Sequence, residues 1–293
     1  MMGRGGYGAW LGAVLAGIVM LAPPARAQSK PPEPSNGGLS LAQKNELKSA
    51  FGGALVDGRS LALDPNATIA ERRLTLARRA AVFEELKEFA RAEESWASAI
   101  RLEPPTASLY GDRGYFYIRL GRFAEALGDF NVGMQLDPAN PRYRFGAGRV
   151  QVMLKNYAAA ADLYGEAIKL GPRDSTFYLA RAEALIHLDQ PRLARADYDQ
   201  ALKITLPRPI DNYFATIGRG FAALKLADYP SAIADFDKAL EYDPRAVMVL
   251  LWRGYARERD GRINLALDDY ERAASVDPNN RWANASLQRL RSN

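Results

Sequence analysis

The chain has 293 residues, of which 48% are hydrophobic and 25% charged, with a formal net charge of +5, no cysteine and a single histidine. Without cysteine it has neither disulfides nor thiolate chemistry, and one histidine leaves no His-based metal set. The charge surplus is mild and interleaved with acids, which argues against a nucleic-acid partner.

The first 27 residues stand apart. Arg4 is the only early charge, Ala9 to Ala22 is an unbroken run of apolar and small residues, and Pro23-Pro24 interrupt it before Ala25-Arg26-Ala27. This pattern predicts a secretory signal peptide cleaved after Ala27. The alternative is an uncleaved membrane anchor, although the run is shorter than the ~20 residues that span a bilayer. Cleavage removes Arg4 and Arg26 and lowers the formal charge to +3. Residues 28–38, with Pro31, Pro32, Pro34 and Gly37-Gly38, read as a flexible linker. Residues 39–72 read as an N-terminal helical cap, with a short helix from Leu39 to Phe51.

From there a 34-residue period dominates. Pro104, Pro138 and Pro172 are spaced by 34, as are Pro244 and Pro278. With those prolines at position 32, position 20 is alanine six times: Ala92, Ala126, Ala160, Ala194, Ala232 and Ala266. Position 24 is always aromatic (Trp96, Phe130, Tyr164, Tyr198, Phe236, Tyr270). Position 8 is always small (Ala80, Gly114, Gly148, Ala182, Gly220, Gly254), and so is position 27. Small residues let two helices approach closely, the aromatic fills the space beside the contact, and the proline ends the second helix. A single hairpin of this kind cannot bury its apolar face, so neighbours must stack.

Six hairpins follow at 73–106, 107–140, 141–174, 175–208, 213–246 and 247–280. Gly121 and Gly261 fit inter-helix turns, and Pro191 and Pro230 fit the first turn of a second helix. One register break, at Leu206 to Asn212, adds four residues and two prolines; it either changes the stacking angle or is a tolerated surface loop. Residues 281–293 predict a C-terminal capping helix with Trp282, Leu287 and Leu290 on one side.

Charge follows the same period. Position 7 is Arg113, Arg181, Arg219 and Arg253 where position 23 is Asp129, Asp197, Asp235 and Asp269. The third repeat has Ala147 and Leu163 there, and the first has Arg79 with Ser95. Positions that change together predict ion pairs between the two helices of a hairpin, contributing about 0–1 kcal/mol if exposed.

Catalytic motifs are missing: there is no Gly-x-Ser-x-Gly elbow, no His-Glu-x-x-His helix and no phosphate-binding loop, and His187 near the end of a first helix reads as a packed residue. Gly3-Arg4-Gly5-Gly6-Tyr7-Gly8 precedes no strand and is coincidental as a dinucleotide fingerprint.

The repeat resembles the tetratricopeptide repeat family over roughly residues 73–280. The resemblance implies an all-α, right-handed α-solenoid that binds a protein or peptide in its concave groove, with no cofactor and no metal. In the family, positions 2, 5, 9, 12 and 13 face that groove. Carried over, they assign Tyr115 and Arg119 in the second repeat and Arg142, Phe145 and Arg149 in the third. They assign Phe214, Phe221 and Lys225 in the fifth, and Met248, Tyr255 and Arg259 in the sixth. Such a stripe suits an extended partner with apolar anchors and some acidic character. The Lys and Asn that clamp a chaperone tail in part of the family are Ala77 and Ala81 here, so that partner is unsupported. The expected function is an exported, periplasmic adaptor without enzymatic activity; the alternative is a cell-envelope scaffold or a self-assembling oligomer.

Overall fold

A computed structural model describes residues 67–204 and 209–292. The predicted signal peptide, linker and all but the last residues of the predicted cap lie outside them. The described residues are helical hairpins throughout: α1 (Ile69–Glu85), α2 (Phe89–Ile100), α3 (Ala107–Arg119), α4 (Phe123–Leu136), α5 (Pro141–Met153), α6 (Tyr157–Leu170), α7 (Ser175–His187), α8 (Pro191–Lys203), α9 (Pro209–Lys225), α10 (Tyr229–Tyr242), α11 (Val247–Arg259), α12 (Ile263–Val276) and α13 (Arg281–Arg291). The fold class is the all-α solenoid expected of stacked hairpins. The chain divides into two compact units at Val150/Gln151, within α5.

In the first unit α1 packs on α2, α2 on α3 and α3 on α4. The first helix begins earlier than the period suggests. Thr68 caps α1 by accepting from the Glu71 amide while the Glu71 carboxylate accepts from the Thr68 amide, a reciprocal capping box. Residues 69–72 therefore belong to the first hairpin and not to the cap. The aromatic at position 24 explains the small residues around it. A Cβ on Gly114 would lie 2.9 Å from the Phe130 ring, and one on Gly146, at the head of α5, 2.4 Å from the same ring. Phe130 is thus clamped between its own hairpin and the next, and only glycine leaves room on both sides.

In the second unit each helix from α6 to α13 packs on its successor, and first helices also touch first helices, α7 with α9 and α9 with α11. Tyr198 repeats the clamp: a Cβ on Gly218 would meet its ring at 2.3 Å. The six alanines at position 20 are fully buried in both units. At the register break the extra residues lengthen a helix. Pro209 starts α9, which has 17 residues against 13 in α7 and α11; proline is tolerated there because a first-turn amide has no intrahelical partner. At the C-terminal end α13 is capped by Asn280, which accepts from the Ala283 amide, and it lays Trp282, Leu287 and Leu290 on the core.

The turn inside every hairpin is the same. Position 15 has positive φ in all six: Lys87, Gly121, Lys155, Asp189, Ala227 and Gly261, between 56° and 81°. The following amide reaches back to the carbonyl five residues before it, as in Glu88 to Phe83 and Asp228 to Ala223. This satisfies carbonyls that the helix end would otherwise orphan.

Candidate functional site

Hairpin geometry puts position 7 of the first helix against position 23 of the second. Arg113 meets Asp129 through two hydrogen bonds of 2.7 Å, Arg181 meets Asp197 likewise, and Arg219 meets Asp235 at 2.9 and 2.6 Å. In the sixth hairpin Arg253 bonds Asp269, and Arg257 joins them, bonding the same carboxylate at 2.9 Å. In the first hairpin Arg79 Nε donates to Ser95 Oγ at 2.9 Å, so serine takes the acceptor role of the aspartate. The four aspartates are all buried, and these forks are internal struts, not surface pairs. They hold the rotation of the first helices that carry them, and hence which side chains those helices present.

In the first unit Arg142 and Arg149, of the residues expected in the groove, gather around Tyr115. Its ring stands edge-on to Phe130 at 5.1 Å and its hydroxyl donates to the Arg142 carbonyl at 3.3 Å. The guanidiniums of Arg142 and Arg149 lie 5.1 and 5.8 Å from its centroid, and burial pushes its hydroxyl pKa up. Phe145 and Arg149 are half-buried, whereas Arg119 and Arg142 are exposed. The cations are not equivalent. Arg142 pairs with Asp112 at 2.5 Å and Arg119 pairs with Glu84. Arg149 has no carboxylate partner among the described residues.

In the second unit Phe214 and Met248 are half-buried and Tyr255 is 37% exposed. Lys225 pairs with Asp189 at 2.7 Å, and Arg259 Nε donates to the Tyr229 hydroxyl at 3.3 Å. Phe221 departs from the expectation of a surface anchor. It is 4% exposed and packs 5.4 Å from the Trp252 ring, so it is core. The cause is local: position 6 is Gly146, Ala180 and Gly218 in three earlier repeats but Trp252 here, and the indole covers position 9 of the preceding first helix.

One residue, Glu183, escaped the sequence reading, and another, His187, is packed as expected. Glu183, at position 9 of α7, is buried, and burial pushes its carboxyl up to about 8. His187, one turn on, stacks on Tyr157 with ring centroids 4.1 Å apart and planes 6° from parallel, and burial lowers its pKa. Among the described residues no cluster of His, Cys, Asp and Glu could hold a metal ion, and no helix is long and apolar enough to cross a membrane.

Comparison with known proteins points one way. The sequence profile of the tetratricopeptide repeat matches residues 77–141, 132–175, 145–206 and 218–281, more than half of the chain. DnaJ homolog subfamily C member 7 of Homo sapiens is 25% identical over 207 residues, 67% of this chain and 42% of that protein. The Protein SGT1 homolog of Oryza sativa subsp. japonica is 36% identical over 73 residues, 25% of this chain and 20% of that one. The chain thus spans less than half the length of these curated relatives. Among solved structures, YrrB, described as a TPR protein with an unusual peptide-binding site, superposes with a TM-score of 0.61 at 20% identity, covering 66% of this chain and 97% of its own.

Proposed function

Because this chain belongs to the tetratricopeptide repeat family, whose members are interaction modules, we propose that it is a non-enzymatic adaptor that holds an extended segment of a partner protein on the exposed faces of its first helices. The observation that carries this reading is the treatment of aromatic and apolar residues at the groove positions. Phe145, Phe214, Met248 and Tyr255 stay half-buried or exposed, while the aromatics at position 24 are all buried in the hairpins. Aromatic and arginine side chains concentrate binding energy because they bring large, rigid or charge-bearing surface to a contact.

Electrostatics narrows the partner. Arg119, Arg142 and Lys225 are already paired within the protein, so attraction to an acidic partner rests on Arg149 and Arg259. The partner is therefore an apolar segment with one or two acids, not a strongly acidic tail.

The N-terminal pattern supports export, with Ala25-Arg26-Ala27 as the processing site. The adaptor then acts in the periplasm. The test is capture of partners on the immobilised mature protein from the cell-envelope fraction, identified by mass spectrometry, together with N-terminal sequencing of the native protein. A mature chain beginning at Gln28 and a partner retained through washing support the reading. A chain beginning at Met1 in the cytoplasmic fraction overturns export, and the absence of any specifically retained protein overturns the adaptor role.

A further inference from the structure

The fourth hairpin leaves two buried polar groups without a protein partner. Glu183 is 5% exposed, and no hydrogen bond or ion pair reaches its carboxyl among the described residues. Tyr198, across the hairpin on α8, is also 5% exposed, and its hydroxyl bonds nothing there. In two sibling hairpins such groups satisfy each other. The Trp96 indole donates to Glu84 at 3.0 Å and the Tyr270 hydroxyl to Glu258 at 3.1 Å, each bond joining position 24 to position 12. In the fourth hairpin Ile186 holds position 12 and the acid stands at position 9 instead.

The carboxyl is not sealed. Among the described residues, the partnerless side-chain atoms that have lost their surface are Arg73 Nε, Trp252 Nε1 and Arg257 Nε. The Glu183 oxygens are not of that set, so they hold part of the surface the residue retains. Glu183 also shares a helix face with residues that α7 presents outward: Thr176 is exposed, and Leu179 and His187 are half-buried, at spacings of one helical face. Cations on the elements packed around it are engaged elsewhere. Arg181 of α7 forks Asp197, Arg195 of α8 pairs with Asp228, and on α9 Arg219 holds Asp235 and Asp199 while Lys225 pairs with Asp189. From α6, Tyr157 stacks on His187. None of these groups moves the Glu183 carboxyl, which burial alone pushes up. The field at the Tyr198 hydroxyl comes from Glu183 and Asp197, both acids. A buried carboxyl without a counter-ion keeps its proton, and a cation brought beside it favours the ionised form.

We infer that Glu183 receives the ammonium of one lysine of the partner segment, and that its proton passes to solvent as the ion pair forms. The compact ammonium on its slender stem suits so small an opening better than the broad guanidinium fork. The inference rests on the protein-binding reading above and adds one basic residue to that apolar segment.

The test follows the glutamate carboxyl carbons of the 13C-labelled mature chain by NMR, with Nα-acetyl-lysine methylamide as the probe. Glu183 is the carboxyl that titrates at about 8, and its resonance is lost in Glu183→Gln. At neutral pH the probe should move that resonance saturably toward its ionised position and raise its acidity about tenfold or more. Nα-acetyl-norleucine methylamide, which lacks the ammonium, should leave it in place, as should potassium chloride at equal ionic strength. An unmoved Glu183 carboxyl overturns the inference, and so does an equal response to the norleucine derivative or to the salt. Such a failure leaves the adaptor reading intact, because partner capture judges that separately.

Discussion

Arg253 Nη2 lies 2.5 Å from Asp269 Oδ1, with the arginine 7% exposed and the aspartate fully buried. Asp269 also holds Arg257, and Asp237 bridges to Arg253 from α10 at 2.6 Å. Removing the shared carboxylate leaves two buried guanidiniums facing each other with only the more exposed Asp237 as counter-charge. Asp269→Ala should therefore cost about 3–5 kcal/mol, far above the ~0–1 kcal/mol of an exposed pair. Urea unfolding of the variant checks this; a loss under 1 kcal/mol would return these forks to the rank of surface ion pairs.

The close packing around Phe130 and Tyr198 predicts a steep response to one added methyl. Gly218→Ala would place its Cβ 2.3 Å from Tyr198 Cζ. Overpacking there, or at buried Ala232 through Ala232→Leu, should cost roughly 1–3 kcal/mol. Thermal denaturation of both variants is the check, and unchanged midpoints would contradict the packing.

The positive-φ turn separates backbone cost from packing. Nothing lies within 4 Å of where a Cβ of Gly121 would stand, so Gly121→Ala should lose about 1 kcal/mol from conformation alone. Ala227, at φ 57° in the equivalent turn, should respond in the opposite direction, with Ala227→Gly gaining about 0.5 kcal/mol. Paired chemical denaturation of the two variants measures both signs.

Glu183 makes stability depend on pH. Its carboxyl titrates near 4.5 in the unfolded chain and about 8 when folded, so between those values the folded protein holds a proton that the unfolded chain has lost. Stability is then lost as pH rises through that window. Melting temperature should fall between pH 5.5 and 8.5, and Glu183→Gln should flatten the fall. An identical pH profile in the variant would remove Glu183 as its source.

Legibility in the sequence followed physical constraint. The linked changes at positions 7 and 23 were readable because charge must be matched at a fixed spacing, and Ser95 shows how a polar acceptor substitutes without breaking the strut. The turn was readable only at Gly121 and Gly261. Lys87, Lys155, Asp189 and Ala227 adopt the same φ without glycine's signature, because the surrounding hydrogen bonds impose it. Leu206 to Asn212 read as an inserted connection that either changes the stacking angle or forms a surface loop, and Pro209 within it opens a longer helix. Among the groove residues, position alone misplaced Phe221, whose burial depends on Trp252 of the next repeat. The only signal of that tryptophan's role was a large apolar residue where three other repeats have a small one.

The measurement that tests the adaptor account most directly is the affinity of a captured partner for two folded double variants, one in each unit. Phe145→Ala with Arg149→Ala and, separately, Met248→Ala with Tyr255→Ala should each keep the helical circular-dichroism signal. At least one should weaken binding by ~2 kcal/mol or more, the loss expected of an anchor, with the Arg149 variant also losing part of the salt dependence of binding. Binding at wild-type affinity by both folded variants would contradict the account and move the partner off the first-helix faces.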